Sequence, residues 1–263
     1  MQKVGVFIAG VQKGGTTALH AKLVSTPGLS GAARKELHFF DREDVNWYNP
    51  PYGDLTAEFA PSTPEDDLLC DATPIYLFWP NAIERVRRYN PDARIIVMLR
   101  HPVFRAISAW KMERARNREP LPLALSLSAL GEVRCQFGYF GGKRIHSYLA
   151  RGFYAAQIDG LLEHFRRDQV LFLKTEDLWD DEEATIARVR SFLGLPPCEW
   201  TSAARPKYIA PVHQKQGNAP RRSLLKRLSR LYRADLVRTS ELTGLDLLAW
   251  TNEDFREPMT ADR

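Results

Sequence analysis

Cysteine is scarce: Cys70, Cys135 and Cys198 are odd in number and widely scattered. They fit neither a disulfide framework nor a paired metal motif, and read as reduced thiols of a cytoplasmic chain. Long apolar runs are missing too. The longest near the start, Val4 to Val11, is far below the ~20 residues a spanning helix needs. It has no charged leader or small-residue cleavage site, so neither a membrane span nor a secretory leader is expected. Internal repeats and low-complexity tracts are absent. Acidic residues are lacking locally: positions 200–234 hold nine Lys or Arg and no Asp or Glu. The net charge of +5 therefore conceals a remainder of −4 (5 − 9). Such a segment either meets an anionic partner or is a solvated helix face. No recognised nucleic-acid motif accompanies it, so nucleic acid is not expected as the partner.

What is present is a globular composition, 44% hydrophobic and 26% charged, which excludes disorder. Val4 to Ala9 is a short apolar run, as in a strand buried on both faces, and Thr17 to Val24 reads as a helix ended by Pro27-Gly28. A second strand-to-helix unit follows: Ala93 to Leu99 is β-rich, Pro102 suits a first helical turn, and Val103, Ile107 and Trp110 have helical spacing. Ile158, Leu161, Leu162 and Phe165 mark another helix, Val170 to Leu173 a strand, and Ile186, Val189 and Phe192 a further helix. This alternation predicts an α/β three-layer fold, a central parallel sheet flanked by helices. Residues 42–70 carry Trp47, Tyr48, Pro50, Pro51 and Tyr52 with little periodicity, and read as a substrate-side loop insertion in one domain spanning 1–263. A basic loop and helix occupy about 205–235. In it Leu224, Leu225, Leu228, Leu231 and Tyr232 trace an apolar stripe that leaves Arg222, Lys226, Arg230 and Arg233 outward.

Chemistry concentrates in three places. Gly10-Val11-Gln12-Lys13-Gly14-Gly15-Thr16-Thr17 lies between strand and helix, where glycines let consecutive N–H groups converge on an anion at the helix N terminus. Gly10, Gly15 and Thr17 fit the G-x-x-x-x-G-K-[ST] frame, but its lysine position is Thr16, and the lysine lies three places earlier at Lys13. Arg100, at the second strand's end, and Ser108, within the following helix, form a second polar pair. Glu36 and His38 in Lys35-Glu36-Leu37-His38-Phe39-Phe40-Asp41 would share one face of an extended chain. Either can take a proton from an attacking hydroxyl.

Together these segments resemble the P-loop-type PAPS-dependent sulfotransferases, and most of all the heparan sulfate and related carbohydrate enzymes. The resemblance implies that Lys13, Gly14, Gly15, Thr16 and Thr17 hold the 5′-phosphosulfate of 3′-phosphoadenosine 5′-phosphosulfate (PAPS), and that Arg100 and Ser108 hold its 3′-phosphate. Lys215, Gly217 and Asn218, with Tyr208, would close over the donor. Glu36 would be the general base with His38 the second candidate, Asp41 would orient them, and Thr73 and Tyr76 of Asp71-Ala72-Thr73-Pro74-Ile75-Tyr76 would line the acceptor cleft. Lys13 would stabilise the leaving oxygen, and no metal is required. Ala72 stands where several 3-O-transferring members carry lysine, a departure that leaves the hydroxyl- or amine-bearing acceptor open. The relatives' membrane anchor and C-terminal disulfide have no counterpart, which implies a soluble, bacterial-like enzyme. A nucleoside-triphosphate-dependent kinase, with Asp71 as its metal-holding acid, and a non-catalytic anion-binding protein are the alternative readings.

Overall fold

The computed structural model describes residues 2–137, 140–198 and 220–257; Tyr208, Lys215, Gly217 and Asn218 lie outside them. The chain divides into two compact units, the first formed by residues 1–99 and 159–208 and the second by 100–158 and 209–263.

The first unit contains a five-stranded sheet of β1 (Val4–Gly10), β2 (Leu29–Gly31), β3 (Leu68–Asp71), β4 (Arg94–Leu99) and β5 (Val170–Lys174), in the order β2-β3-β1-β4-β5. Every pairing is parallel. Parallel strands are covered on both faces, which is why β1, β4 and β5 read as nearly unbroken apolar runs. Val6, Ile8, Ile96 and Met98 point to one side. There they pack with Leu19 and Leu23 of α1 (Thr16–Val24), Leu178 of α9 (Thr175–Asp180), and Ile186 and Val189 of α10 (Glu182–Leu193). Phe7 points to the other, where its ring meets Phe40 at 5.7 Å edge-on. Tyr89 closes that side from α3 (Ala82–Tyr89): its ring lies 5.5 Å from Phe40, and its hydroxyl accepts from the Val4 amide at 2.9 Å. Helix, sheet, and helix with aromatic layer make the expected three-layer α/β architecture.

Two strands escape the sequence pattern. β2 has only three residues, and β3 is a four-residue Leu68-Leu69-Cys70-Asp71 segment too short for periodicity to register. The irregular stretch placed at 42–70 therefore stops short of Leu68, and it contains the short helix α2 (Tyr52–Thr56). Its aromatics divide. Trp47 stacks on Phe40 at 6.1 Å and lies under the Arg85 guanidinium at 4.3 Å, whereas Tyr48 is fully exposed.

The second unit is helical: α4 (Pro102–Ala115), α5 (Leu123–Ser126), α6 (Ala129–Phe137), α7 (Phe140–His146), the start of α8 (Tyr154–His164) and α11 (Arg222–Thr243). Pro102 opens α4 as expected, since its missing N–H would have no helical partner there. His101 caps this end. Its Nδ1 accepts from the Val103 amide at 3.3 Å, so Nε2 carries the proton donated to the Trp250 carbonyl at 3.2 Å. Tyr154 donates to the Arg100 carbonyl at 2.7 Å, and Tyr232 to the Leu149 carbonyl at 2.9 Å. On α11, Leu225, Leu228, Tyr232 and Leu236 are buried, but Leu231 is 46% exposed, so the stripe is narrower than the sequence pattern drew it. The outward cations are partnered locally. Arg222 and Lys226 meet Asp254 at 2.7 and 3.5 Å, while Arg230 and Arg233 meet Glu253 at 2.7 and 3.9 Å. Among the described residues no helix is long and apolar enough to cross a membrane.

Candidate active site

The glycine loop follows directly from the end of β1. Gly15 adopts φ 87° as the N-cap of α1, a left-handed conformation that glycine takes without a Cβ penalty. Gly14 is required for a different reason: a Cβ there would come 2.6 Å from the Met98 carbonyl oxygen. The loop thus lies flat against β4, with the Val11 amide donating to Met98 O and the Gly14 amide to Val11 O, both at 2.9 Å. No side chain caps the N terminus of α1, and its first turn has no acidic residue. Its leading amides and positive dipole end are suited to an anion from outside the chain. Lys13 stands half-buried beside them at φ 70°.

A residue that sequence reasoning missed holds this loop in place. Thr175, the first residue of α9, is buried with its hydroxyl 2.8 Å from the Gly14 carbonyl and 2.9 Å from the Leu99 carbonyl. The available signal was a hydroxyl residue directly after a strand ending, at Lys174-Thr175.

Glu36, His38 and Asp41 come together, though not on an extended strand. Glu36 has φ 65° and His38 φ 53°, both left-handed and costly for residues with a Cβ. The resulting corner brings Glu36 Oε2 to 3.5 Å from His38 Nε2, with Lys35 Nζ 2.8 Å from the other carboxylate oxygen. His38 Nδ1 lies 2.9 Å from Oδ2 of Asp41, which is completely buried. Burial alone would push the Glu36 carboxyl up. The His38 hydrogen bond and the Lys35 contact outweigh it and hold the group at about 2. For His38 the Asp41 hydrogen bond is the largest influence, Glu36 adds to it, and together they raise the imidazole to about 9 against burial.

Thr73 and Tyr76 stand behind this corner, both fully buried. Thr73 donates to Asp71 Oδ1 at 2.6 Å, and Tyr76 donates to Oδ2 at 2.8 Å. The Tyr76 oxygen in turn accepts from the Phe39 amide at 3.1 Å. The same turn reaches the glycine loop: the Leu77 amide donates to Ala9 O at 2.9 Å, and its side chain occupies the space a Cβ on Gly10 would need. One short segment thus ties the Glu36–Asp41 corner to the end of β1. Asp71, burdened by burial, titrates at about 6 despite these two hydrogen bonds. Arg85 secures the other side, donating to the Phe40 and Arg42 carbonyls at 2.9 and 3.0 Å and pairing with Glu43 at 3.0 Å. Ala72 packs into the α1–α9–α10 side of the core, among apolar side chains.

Arg100 and Ser108 belong to the second unit. Arg100 is the residue after β4, and Ser108 is half-buried on α4. Among the described residues no cluster of three or more His, Cys, Asp or Glu is arranged to hold a metal. Asp71 lies buried with both oxygens engaged by Thr73 and Tyr76.

A glycine loop feeding a helix whose N terminus no side chain caps, linked through Leu77 and Tyr76 to a carboxylate–imidazole–carboxylate trio, makes up the candidate site. The chain belongs to the sulfotransferase family, whose domain model matches residues 4–204. It is a PAPS-dependent sulfotransferase related to the heparan sulfate enzymes. It is 29% identical over 261 residues to human heparan sulfate glucosamine 3-O-sulfotransferase 6, covering 91% of this chain and 72% of that protein. To human heparan sulfate glucosamine 3-O-sulfotransferase 3B1 it is 28% identical over 265 residues, covering 91% of this chain and 63% of that protein. The chain thus spans 72% and 63% of the length of these two relatives. A crystal structure of a sulfotransferase from Alicyclobacillus acidocaldarius superposes with a TM-score of 0.75 at 26% identity, covering 96% of this chain and all of that one. The kinase and non-catalytic readings are set aside by this membership.

Proposed function

We propose that the chain transfers the sulfuryl group of PAPS to a carbohydrate-type hydroxyl or amine, with Glu36 as general base. The observation that carries this reading is the Glu36–His38–Asp41 trio, tied through Tyr76 and Leu77 to the strand that opens the glycine loop. With a carboxyl held at about 2, Glu36 is ionised at neutral pH and ready to accept a proton. His38, raised to about 9, is already protonated there, so it steadies Glu36 rather than acting as the base. Asp41 fixes the imidazole from behind.

In this reading the acceptor oxygen forms its bond to sulfur as its proton passes to Glu36. The bond from sulfur to the bridging oxygen breaks, and adenosine 3′,5′-bisphosphate leaves. Lys13 and the first amides of α1 stabilise charge on that departing oxygen. Thr16 and Thr17 add hydroxyl donors, Arg100 and Ser108 take the 3′-phosphate, and Tyr208, Lys215, Gly217 and Asn218 close over the donor. Thr73 and Tyr76 shape the acceptor cleft from behind, through Asp71 and the Phe39 amide. The names of the heparan sulfate relatives support a sugar acceptor, and the match over 4–204 runs through both units, which supports one sulfotransferase domain.

Two measurements test this. Adenosine 3′,5′-bisphosphate should raise Tm without magnesium, and ATP should do so much less. Glu36→Gln should abolish transfer from labelled PAPS while leaving bisphosphate affinity intact. Transfer surviving in Glu36→Gln would refute the base assignment.

A further inference from the structure

Arg100, which the proposed function assigns to the donor's 3′-phosphate, already grips an anion of its own chain. Its Nε donates to Glu257 Oε1 at 2.7 Å and its Nη2 to Oε2 at 2.6 Å, with the side chains only 18% and 11% exposed. A guanidinium fork meets a carboxylate and a phosphate with the same two-pronged geometry, so the two compete for the same donors. Glu257 is delivered by a segment with its own anchors. Trp250 O accepts from His101, Phe255 stacks on the His101 ring at 4.9 Å with an interplanar angle of 3°, and Phe255 also meets Phe104 at 6.1 Å. Glu253 and Asp254 pin the same segment to the cations of α11. The first turn of α4 has no acidic residue of its own, so this carboxylate is brought in from the far end of the chain. The segment therefore engages Arg100 directly and, through His101 and Phe104, the start of α4; Ser108 lies one turn further along the same face as Phe104.

We propose that Glu257 belongs to the 3′-phosphate subsite: its carboxylate holds Arg100 while donor is absent and is exchanged for the 3′-phosphate when donor binds. The exchange never leaves the shielded guanidinium unpaired. It must be an exchange, because a carboxylate kept beside an incoming phosphate of charge about −2 would meet like-charge repulsion. Glu257 thereby sets how strongly the site prefers 3′-phosphorylated nucleotides. It also eases release of the product, which carries that same phosphate. Apparent affinity falls by the fraction of molecules in which Arg100 is free to engage the ligand.

This inference rests on the assignment of Arg100 under the proposed function, and calorimetric titration separates the two. Adenosine 3′,5′-bisphosphate and adenosine 5′-phosphate are titrated into wild type, Glu257→Gln and Glu257→Ala. Both variants are expected to bind the bisphosphate about three- to tenfold more tightly than wild type, with 5′-phosphate affinity unchanged. A wild type that binds the two nucleotides equally overturns the Arg100 assignment itself. A wild type that prefers the bisphosphate, with variants no tighter than wild type, overturns the role of Glu257 alone. Hydrogen–deuterium exchange on the unaltered chain gives a readout independent of how well the variants fold. Bisphosphate should speed amide exchange across residues 250–257, and slower exchange there would overturn the proposal.

Discussion

Tyr76→Phe tests the post that carries the Glu36–Asp41 corner. The phenol oxygen is fully buried, donates to Asp71 at 2.8 Å and accepts from the Phe39 amide at 3.1 Å. Phenylalanine keeps the ring, and with it the edge-on contact to Phe40 at 5.6 Å, so packing is nearly unchanged. What is lost is one hydrogen bond to a carboxyl and the partner of the buried Phe39 amide, with a longer contact from the Phe40 amide at 3.5 Å. A hydrogen bond to a charged group is worth about 1.5–3 kcal/mol, and an orphaned buried donor adds to that, so a loss of roughly 2–4 kcal/mol is expected. In a chain of this size that lowers Tm by roughly 5–12 °C. Activity should suffer separately. Glu36 and His38 sit at φ 65° and 53°, and the Tyr76 bond to the next backbone amide is one of the restraints that keeps the corner turned. Released, the corner drifts and kcat falls by roughly tenfold or more, while bisphosphate affinity at the glycine loop stays near wild type. Urea unfolding, transfer kinetics with labelled donor and bisphosphate titration read the three quantities independently. A variant with wild-type stability and kcat would refute the post; one that lost bisphosphate affinity in step with kcat would show the damage to be general.

Three further outcomes follow from the geometry. Gly14→Ala forces a Cβ to 2.6 Å from the Met98 carbonyl, so the loop must shift; about 1–3 kcal/mol of stability and most bisphosphate binding should be lost, by melting and titration. Thr175→Val removes the hydroxyl shared by the Gly14 and Leu99 carbonyls, costing about 1–3 kcal/mol and weakening bisphosphate binding without altering the pH profile of transfer. His38→Asn removes the largest influence lowering Glu36, so the acid limb of kcat/KM should move to higher pH. In the wild type, Glu36, lowered to about 2, contributes stability above its ordinary pKa that is lost as pH falls toward 2. His38, raised to about 9, contributes stability below its ordinary value that is lost as pH rises through 9. Melting curves across pH should therefore fall off at both ends, and His38→Asn should remove the alkaline decline.

The parts of this protein legible in its sequence are those where one local rule governs. β1, β4 and β5 are apolar because both sheet faces are covered, and Pro102 opens α4 because a first turn tolerates a missing N–H. The glycine loop is written in glycines because backbone atoms crowd Gly14 and Gly15 turns left-handed. β2 and β3 were not legible, since three or four residues give no period to count. The corner at Glu36 and His38 was found for the wrong geometric reason: the two side chains share a side through left-handed backbone, not through strand alternation. Thr73 and Tyr76 were assigned to the acceptor cleft by resemblance alone, and their burial on Asp71 depends on a neighbour whose meaning is three-dimensional. Thr175 and Arg85 lie far in sequence from the segments they hold; a hydroxyl directly after the end of β5 is the one local mark of Thr175, and nothing local marks Arg85.

The Thr175 staple bears on how the protein is made. Thr175 fastens Gly14 across 161 residues of sequence, and among the described residues the strand before it, β5, pairs only with β4. Between β4 and β5 the chain leaves the sheet for the helices of the second unit. A nascent chain that has emerged only through β4 therefore holds every residue of the glycine loop but not the hydroxyl that fastens it. The last restraint on the loop is acquired late, when β5 docks and α9 begins, so residues 10–17 are fastened only once Thr175 has been added to the chain.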